Sequence, residues 1–281
     1  MIYKSANEMP EVNRQSRIPH LLHQIYLGGP LPEPLANNVE RLKRNNPMWQ
    51  HCLYDDHAAT RFIREQYGSS ILKLYLSINP GYAAARSDLF RYLVLYIRGG
   101  VYLDVKSQFQ RPIDEVILGN ESYVLSRWRN APGEIHEGWG LHTNLYQAAG
   151  GEFQQWHIIS VPGHPFLRAV IERVVAGIRN YSAASIGTGW IGVLRLTGPI
   201  AYTQAIMPII DQHPCRLLAN EQEVGLEYSA FPNSSHQAFS REHYTQRSDV
   251  VVLNKGVRRW WDKIFLALRS FKRRLTDTED A

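Results

Sequence analysis

Residues 87–105 read SDLFRYLVLYIRGGVYLDV, and the fold turns on how this stretch divides. Residues 82–98, which hold its first part, contain neither Gly nor Pro and are rich in Ala, Leu and Arg, so they predict a strong helix. Gly99-Gly100 stops that helix. VYLDV then brings β-branched and aromatic side chains, which predict a strand. So short a return packs the strand on the helix. Asp104 then stands at the strand's carboxyl end, in reach of the helix face that carries Asp88 and Arg91, three positions apart. In extended geometry Tyr102, Asp104 and Lys106 point to one side. An aromatic can position a ring, a carboxylate can accept sugar hydroxyls or bind a metal, and a cation can neutralise phosphate. These are the parts a nucleotide-sugar site needs. The plainer reading is that Asp88 and Arg91 only neutralise each other, because unpaired buried charge is costly.

Outward from this stretch, strands and helices alternate. IPHLLHQIYLGGPLP predicts a buried strand running into the tight Gly28-Gly29 loop, and LANNVERLKRNNP a helix ended before Pro47. MWQHCLYDD reads as a second strand, followed by a helix near HAATRFIREQYG. Later strands are expected at SYVLSRW, WHIISV and VVVL, and later helices at residues 165–180 and 198–210. The pattern predicts an α/β fold: a Rossmann-like, mixed but mostly parallel sheet flanked by helices. Ligands of such sheets bind at the carboxyl ends of the strands. Residues 1–16 read as a mobile arm, 17–254 as the catalytic body, and 255–281 as a basic amphipathic helix and tail.

The central stretch resembles glycosyltransferase family 32, whose pattern is S-D-x-x-R, an apolar helix, then G-G-x-Y-x-D-x-D. Ser87, Asp88, Arg91, Gly99, Gly100, Tyr102 and Asp104 all match it. IPHLLHQIYLGG, NPMWQHCLYDD, SVPGHPFL and TGPIAYTQAI are similar to other parts of that family, so the likeness runs from about residue 18 to 210. The resemblance implies a GT-A-like fold and retaining transfer from a nucleoside diphosphate sugar to a glycan or lipid-linked acceptor. It also implies a place in building a bacterial surface polysaccharide. It assigns donor binding to His23, Gln24, Gly28, Asp88, Arg91, Tyr102 and Asp104. The departure falls on the last position of D-x-D, where the family carries a carboxylate and this chain carries Lys106. An ammonium repels a divalent ion. Three readings follow for the site. Asp104 and Lys106 are catalytic, with Lys106 offsetting the diphosphate charge; or Mn2+ or Mg2+ binds Asp104 with a later ligand such as His243; or the chain is an inactive binder of sugar nucleotides or glycans.

IHEGWGLHTN, residues 135–144, places His136, Glu137, Trp139 and His142 close together. It misses the metalloprotease spacing and holds two glycines, so it reads as a loop, lining an acceptor site or simply exposed. VRRWWDKIFLALRSFKRRL, residues 257–275, repeats apolar residues at helical steps, with tryptophans beside basic residues. That pattern suits either an anionic membrane surface or docking on the body. The formal charge of +5 comes from this segment: residues 255–274 hold eight Lys or Arg against one Asp, and the rest is slightly acidic. Nucleic acid is therefore not the expected partner, although the basic segment keeps that a third function class. No signal peptide or membrane span is expected. Two distant cysteines suit a reducing compartment, hence a cytoplasmic protein, peripheral at the inner face of the membrane if the helix binds there.

Overall fold

The computed structural model describes residues 9–231 and 247–279, with side chains described as far as Ser270. β1 (Leu21–Ile25), α1 (Glu33–Asn45), β2 (Gln50–Tyr54) and α2 (Asp56–Ser77) open the fold. Asp55 starts α2 by accepting the Ala58 N–H at 2.7 Å, pairing a donor that a helix start leaves open. α3 (Ala83–Arg98) and β3 (Gly100–Leu103) follow, then β4 (Gln108–Phe109), β5 (Tyr123–Leu125) and β6 (His157–Ser160). α4 (Pro165–Arg179), α5 (Ala183–Ile186), α6 (Gly189–Leu196) and α7 (Pro199–Ile206) come next. β7 (Arg216–Leu217), β8 (Leu226–Glu227) and the long α8 (Gly256–Glu279) complete the described chain.

Among the described residues the main sheet has the order β2-β1-β3-β6-β5-β7, and β4 pairs with β8 apart from it. β2, β1 and β3 run parallel, as do β5 and β7, while β6 is antiparallel to both its neighbours. The sheet is thus the mixed, mostly parallel one expected. Reversing β6 has a consequence for function: its first residue, His157, pairs with Leu103, so the entry to β6 lies beside the carboxyl end of β3.

α3 is buried on nearly every side, from Asp88 through Tyr96, which is what a helix without a polar face requires. β3 alternates between two cores. Tyr102 joins the cluster built by α2, α3 and α4, whereas Val101 and Leu103 join the cluster under β4 and β8. The double glycine is more than a stop. Gly100 has φ +100°, and a Cβ there would lie 2.4 Å from the Leu21 carbonyl oxygen; one on Gly99 would lie 2.5 Å from Pro162 Cδ. Only glycine lets β3 enter beside β1 at this distance.

Several expectations need correcting. VVVL forms no strand; Val252 makes a single antiparallel bridge to Ile78. Of the arm, residues 9–12 are not free: Met9 is buried in the main core and Tyr96 Oη donates to the Pro10 carbonyl at 3.4 Å. α2 continues across a break at Gly68 (φ 75°) to Ser77, well past the expected helix. α5 and α6 were not anticipated, because glycines and a short reach hide their periodicity. No helix among the described residues is long and apolar enough to cross a membrane.

Candidate active site

β3 ends at Leu103, and the chain then turns: Ser107 N donates to the Asp104 carbonyl at 2.9 Å. Tyr102, Asp104 and Lys106 therefore share one side through a turn, not through strand alternation. The turn is clamped from several directions. Asp104 N donates to Trp156 O at 2.9 Å, and Asn38 Nδ2 donates to Val105 O and Ser107 O at 2.9 and 3.0 Å. Gln24 Nε2 reaches Asp104 O at 3.4 Å, and Ala230 N donates to Lys106 O at 2.8 Å. A backbone held this way fixes its side chains before any ligand arrives.

The Asp104 carboxylate is the meeting point. Its Oδ1 accepts from Tyr102 Oη at 3.0 Å and lies 3.2 Å from Arg91 Nη2; its Oδ2 lies 3.8 Å from Lys106 Nζ. The Arg91 guanidinium stacks over the Tyr102 ring at 4.6 Å, and Lys106 Nζ sits 3.8 Å from the Tyr228 ring centroid. Arg91 Nη2 also pairs with Asp88 Oδ1 at 3.0 Å, and its Nη1 donates to Gln155 O at 2.6 Å and Gln155 Oε1 at 3.2 Å. Asp88 is filled in turn: Gln155 Nε2 donates to Oδ1 at 3.0 Å and Thr197 Oγ1 to Oδ2 at 2.9 Å. Burial pushes the Asp88 carboxyl above its ordinary range, against the pull of Arg91 and the two hydrogen bonds. Burial also works to discharge Arg91, but Tyr102, Asp104 and Asp88 outweigh it and raise its pKa.

These groups open on one cleft of about 1110 Å³ at the carboxyl edge of the sheet. Asp88, Arg91, Tyr102, Asp104, Lys106 and Gly28 all line it, so the expected convergence is present. The side chains of Asp104 and Lys106 are one-fifth exposed, whereas Asp88 and Arg91 are buried in its floor, with both Arg91 Nη atoms paired and its Nε without a hydrogen-bond partner. Asp88 and Arg91 both line the cleft, and Arg91 also fixes the Asp104 carboxylate. The structure corrects the expectation for His23 and Gln24, which do not line the cleft. His23 is fully buried, its Nε2 at 3.0 Å from Gly99 O and its Nδ1 at 3.2 Å from Tyr54 Oη. Gln24 is also buried, held by His51 at 2.8 Å while it reaches the Asp104 carbonyl. Both brace β1 from inside because the sheet is covered on both faces.

A cleft wall that the sequence signalled only weakly faces the Asp104 turn. Trp128, Trp139, Trp156 and Tyr228 pack mostly edge to face, with ring centroids 5.2–6.1 Å apart, and Trp128 and Trp156 tilted at 6.5 Å. Beside them His142 Nε2 meets Glu152 Oε2 at 2.7 Å, and Glu152 Oε1 accepts Trp128 Nε1 at 2.8 Å. The loop of residues 135–144 thus lines the cleft through Trp139, Gly140 and His142.

Among the described residues, the groups around Asp104 do not fit a divalent metal. One carboxylate faces two cations, and no group of three His, Cys, Asp or Glu among the described residues could hold an ion. His243, the other expected ligand, lies outside the described residues.

Residues 32–123 match the family model described as "Glycosyltransferase sugar-binding region containing DXD motif". The chain is 26% identical over 211 residues to the initiation-specific alpha-1,6-mannosyltransferase of Schizosaccharomyces pombe, covering 72% of this chain and 51% of that protein. It is 30% identical over 112 residues to inositol phosphoceramide mannosyltransferase 1 of the same yeast, covering 39% of this chain and 34% of the relative. The chain thus spans about half or less of the length of these relatives. In structure it is similar to the UDP-bound glycosyltransferase domain of the YGT toxin, with TM-score 0.50, 10% identity, and 77% and 84% of the two chains covered. The ligand-free form of that domain gives TM-score 0.51 at 10% identity, covering 73% and 81%. At that identity the likeness is one of fold. The chain is therefore similar to glycosyltransferases that carry this DXD-containing sugar-binding region, with the matching residues 32–123 set in a GT-A-like α/β fold.

Proposed function

We propose that the chain transfers a hexosyl group from a nucleoside diphosphate sugar to a hydroxyl of a glycan or lipid-linked acceptor, with retention at the anomeric carbon. The observation that carries this reading is the Asp104 carboxylate, fixed by Arg91 and Tyr102 and faced by Lys106, at the carboxyl edge of a sheet that opens on a large cleft. In the reaction the bond from the anomeric carbon to the diphosphate oxygen breaks and a bond to the acceptor oxygen forms on the same face. The acceptor proton passes to the departing phosphate oxygen, so no protein base is needed.

The growing diphosphate charge needs a fixed cation, and Lys106 supplies it. Its ammonium is held between Asp104 and the Tyr228 ring, so little reorganisation accompanies the reaction. Asp104 accepts donor hydroxyls and restrains Lys106. Gly28, with φ +91°, lets the loop after β1 run close to the nucleotide. The tryptophan and tyrosine wall offers π-faces to the C–H faces of sugar rings, and His142 a polar contact among them. The names of the yeast relatives make mannose the first donor sugar to test. Those naming inositol phosphoceramide favour an acceptor with a lipid attached; a surface polysaccharide under assembly is such an acceptor when it is carried on a lipid.

A panel of nucleoside diphosphate sugars, headed by GDP-mannose, tests the reading with glycan and glycolipid acceptors. Transfer from one donor is expected, reduced roughly a hundred- to a thousandfold in Asp104→Ala. Donor binding without turnover on any acceptor would instead identify an inactive binder.

A further inference from the structure

We infer that α8 seats the protein on an anionic lipid surface through the face turned away from the domain. A helix that docked by its apolar stripe would bury tryptophan and expose aspartate. Here both tryptophans stay exposed, while Ile264, Phe265 and Leu266 are half-buried. Asp262 is the buried residue: its Oδ1 accepts the Ala183 N–H at 2.9 Å and its Oδ2 accepts Asn254 Nδ2 at 2.8 Å. Arg258 donates to the Arg179 carbonyl, and Arg269 Nη1 to Thr188 Oγ1 at 2.5 Å, so the same side of the helix makes all three attachments. At 3.6 residues per turn, the stripe of Val257, Trp260, Trp261 and Leu268 stands about a third of a turn away. Each of these four is more than half exposed.

Charge decides the occupant. Lys255, Arg259 and Lys263 are exposed on the described part of α8 and its approach, with no acidic side chain exposed among residues 255–270. The face opposite the attachments thus carries Trp260, with the rest of the apolar stripe on one flank and Lys263 and Arg259 on the other, which fits the boundary between anionic headgroups and acyl chains. The helix is not apolar enough to cross that boundary. Its attachment also gives the surface a relation to the cleft. Thr188, held by Arg269, immediately precedes Gly189-Trp190 at the start of α6, and Trp190 lines the cleft while remaining half exposed. A lipid-borne acceptor in the same membrane would reach the cleft along this rim.

Binding requires no turnover, so it can be tested apart from sugar transfer. The full chain is floated with vesicles of phosphatidylcholine alone and of phosphatidylcholine mixed with phosphatidylglycerol. Preferential binding to the anionic vesicles is expected. The double variant W260S/W261S should weaken it at least about tenfold. Reversal of charge in K255E/R259E/K263E should remove the anionic preference, at about fivefold for each charge neutralised. All five side chains are exposed, so an unchanged thermal midpoint confirms the fold of either variant. Equal binding to both vesicles, or wild-type binding by W260S/W261S, would overturn the inference. So would self-association in the absence of vesicle binding that W260S/W261S abolishes, which would assign the face to a second copy of the chain.

Discussion

Lys106 occupies the position where the D-x-D pattern carries its second carboxylate, and the residues around it agree with an ammonium there. Asp104 lies 3.8 Å away and the Tyr228 ring 3.8 Å away, both attractive to a cation. Asp88, Arg91, Tyr102, Asp104 and Lys106 were legible because they fall within one helix–turn–strand unit, where spacing dictates who meets whom. Gln155, Thr197, Asn38 and Tyr228 were not, since each arrives from a distant segment and no local pattern marks it. Gln155 matters most of these. It donates to Asp88, accepts from Arg91 and accepts Tyr92 Oη at 2.7 Å. Gln155→Ala should strip a buried ion pair of partners and cost about 1–3 kcal/mol in urea unfolding, with loss of sugar transfer as Asp104 loosens. An unchanged stability would mean that water replaces the amide without cost.

Among the elements, α3 and the start of β3 were readable to within a residue, because an uninterrupted apolar helix followed by two glycines admits few alternatives; the end of β3 was not, since the chain turns after Leu103. What the glycines do was not readable: both allow β3 to approach the Leu21 carbonyl and Pro162, contacts set by tertiary packing. VVVL shows the opposite failure. Its β-branched residues suit a strand, yet Val251 and Val252 are spent on the core beside Ile78, and among the described residues only the single Ile78–Val252 bridge pairs them. Burial, not ladder hydrogen bonds, is what that run encodes. His23 and Gln24 sit in the strand expected of them, but β1 lies between β2 and β3 with both faces covered, which turns two polar residues into braces. In α8 the periodicity was plain while the docking side was not, because the attachments are made by Arg258, Asp262 and Arg269 and not by the tryptophans of the stripe.

For the molecule as a whole, buried imidazoles set its response to acid. Burial depresses His23, His157 and His164 to about 3 each. His164 also caps α4, accepting the Phe166 N–H at 3.2 Å on Nδ1, which a proton there would forbid. A histidine near 3 when folded and near 6.5 when unfolded takes its proton first in the unfolded chain. Its stabilising contribution is complete above pH ~6.5 and is lost as the pH falls toward 3. Each site removes up to ~1.4 kcal/mol per pH unit across that window. Urea midpoints should therefore drop steeply from pH 7 to pH 5, and a flat profile would show that these rings protonate in place. The central claim is that Lys106 supplies the cation for the departing diphosphate, and one measurement tests it most directly: the rate of sugar transfer in excess chelator, for the native chain and for Lys106→Ala. The account predicts that the native rate survives chelation and that the substitution lowers it roughly a hundredfold or more. A native rate abolished by chelator and restored by manganese would contradict it.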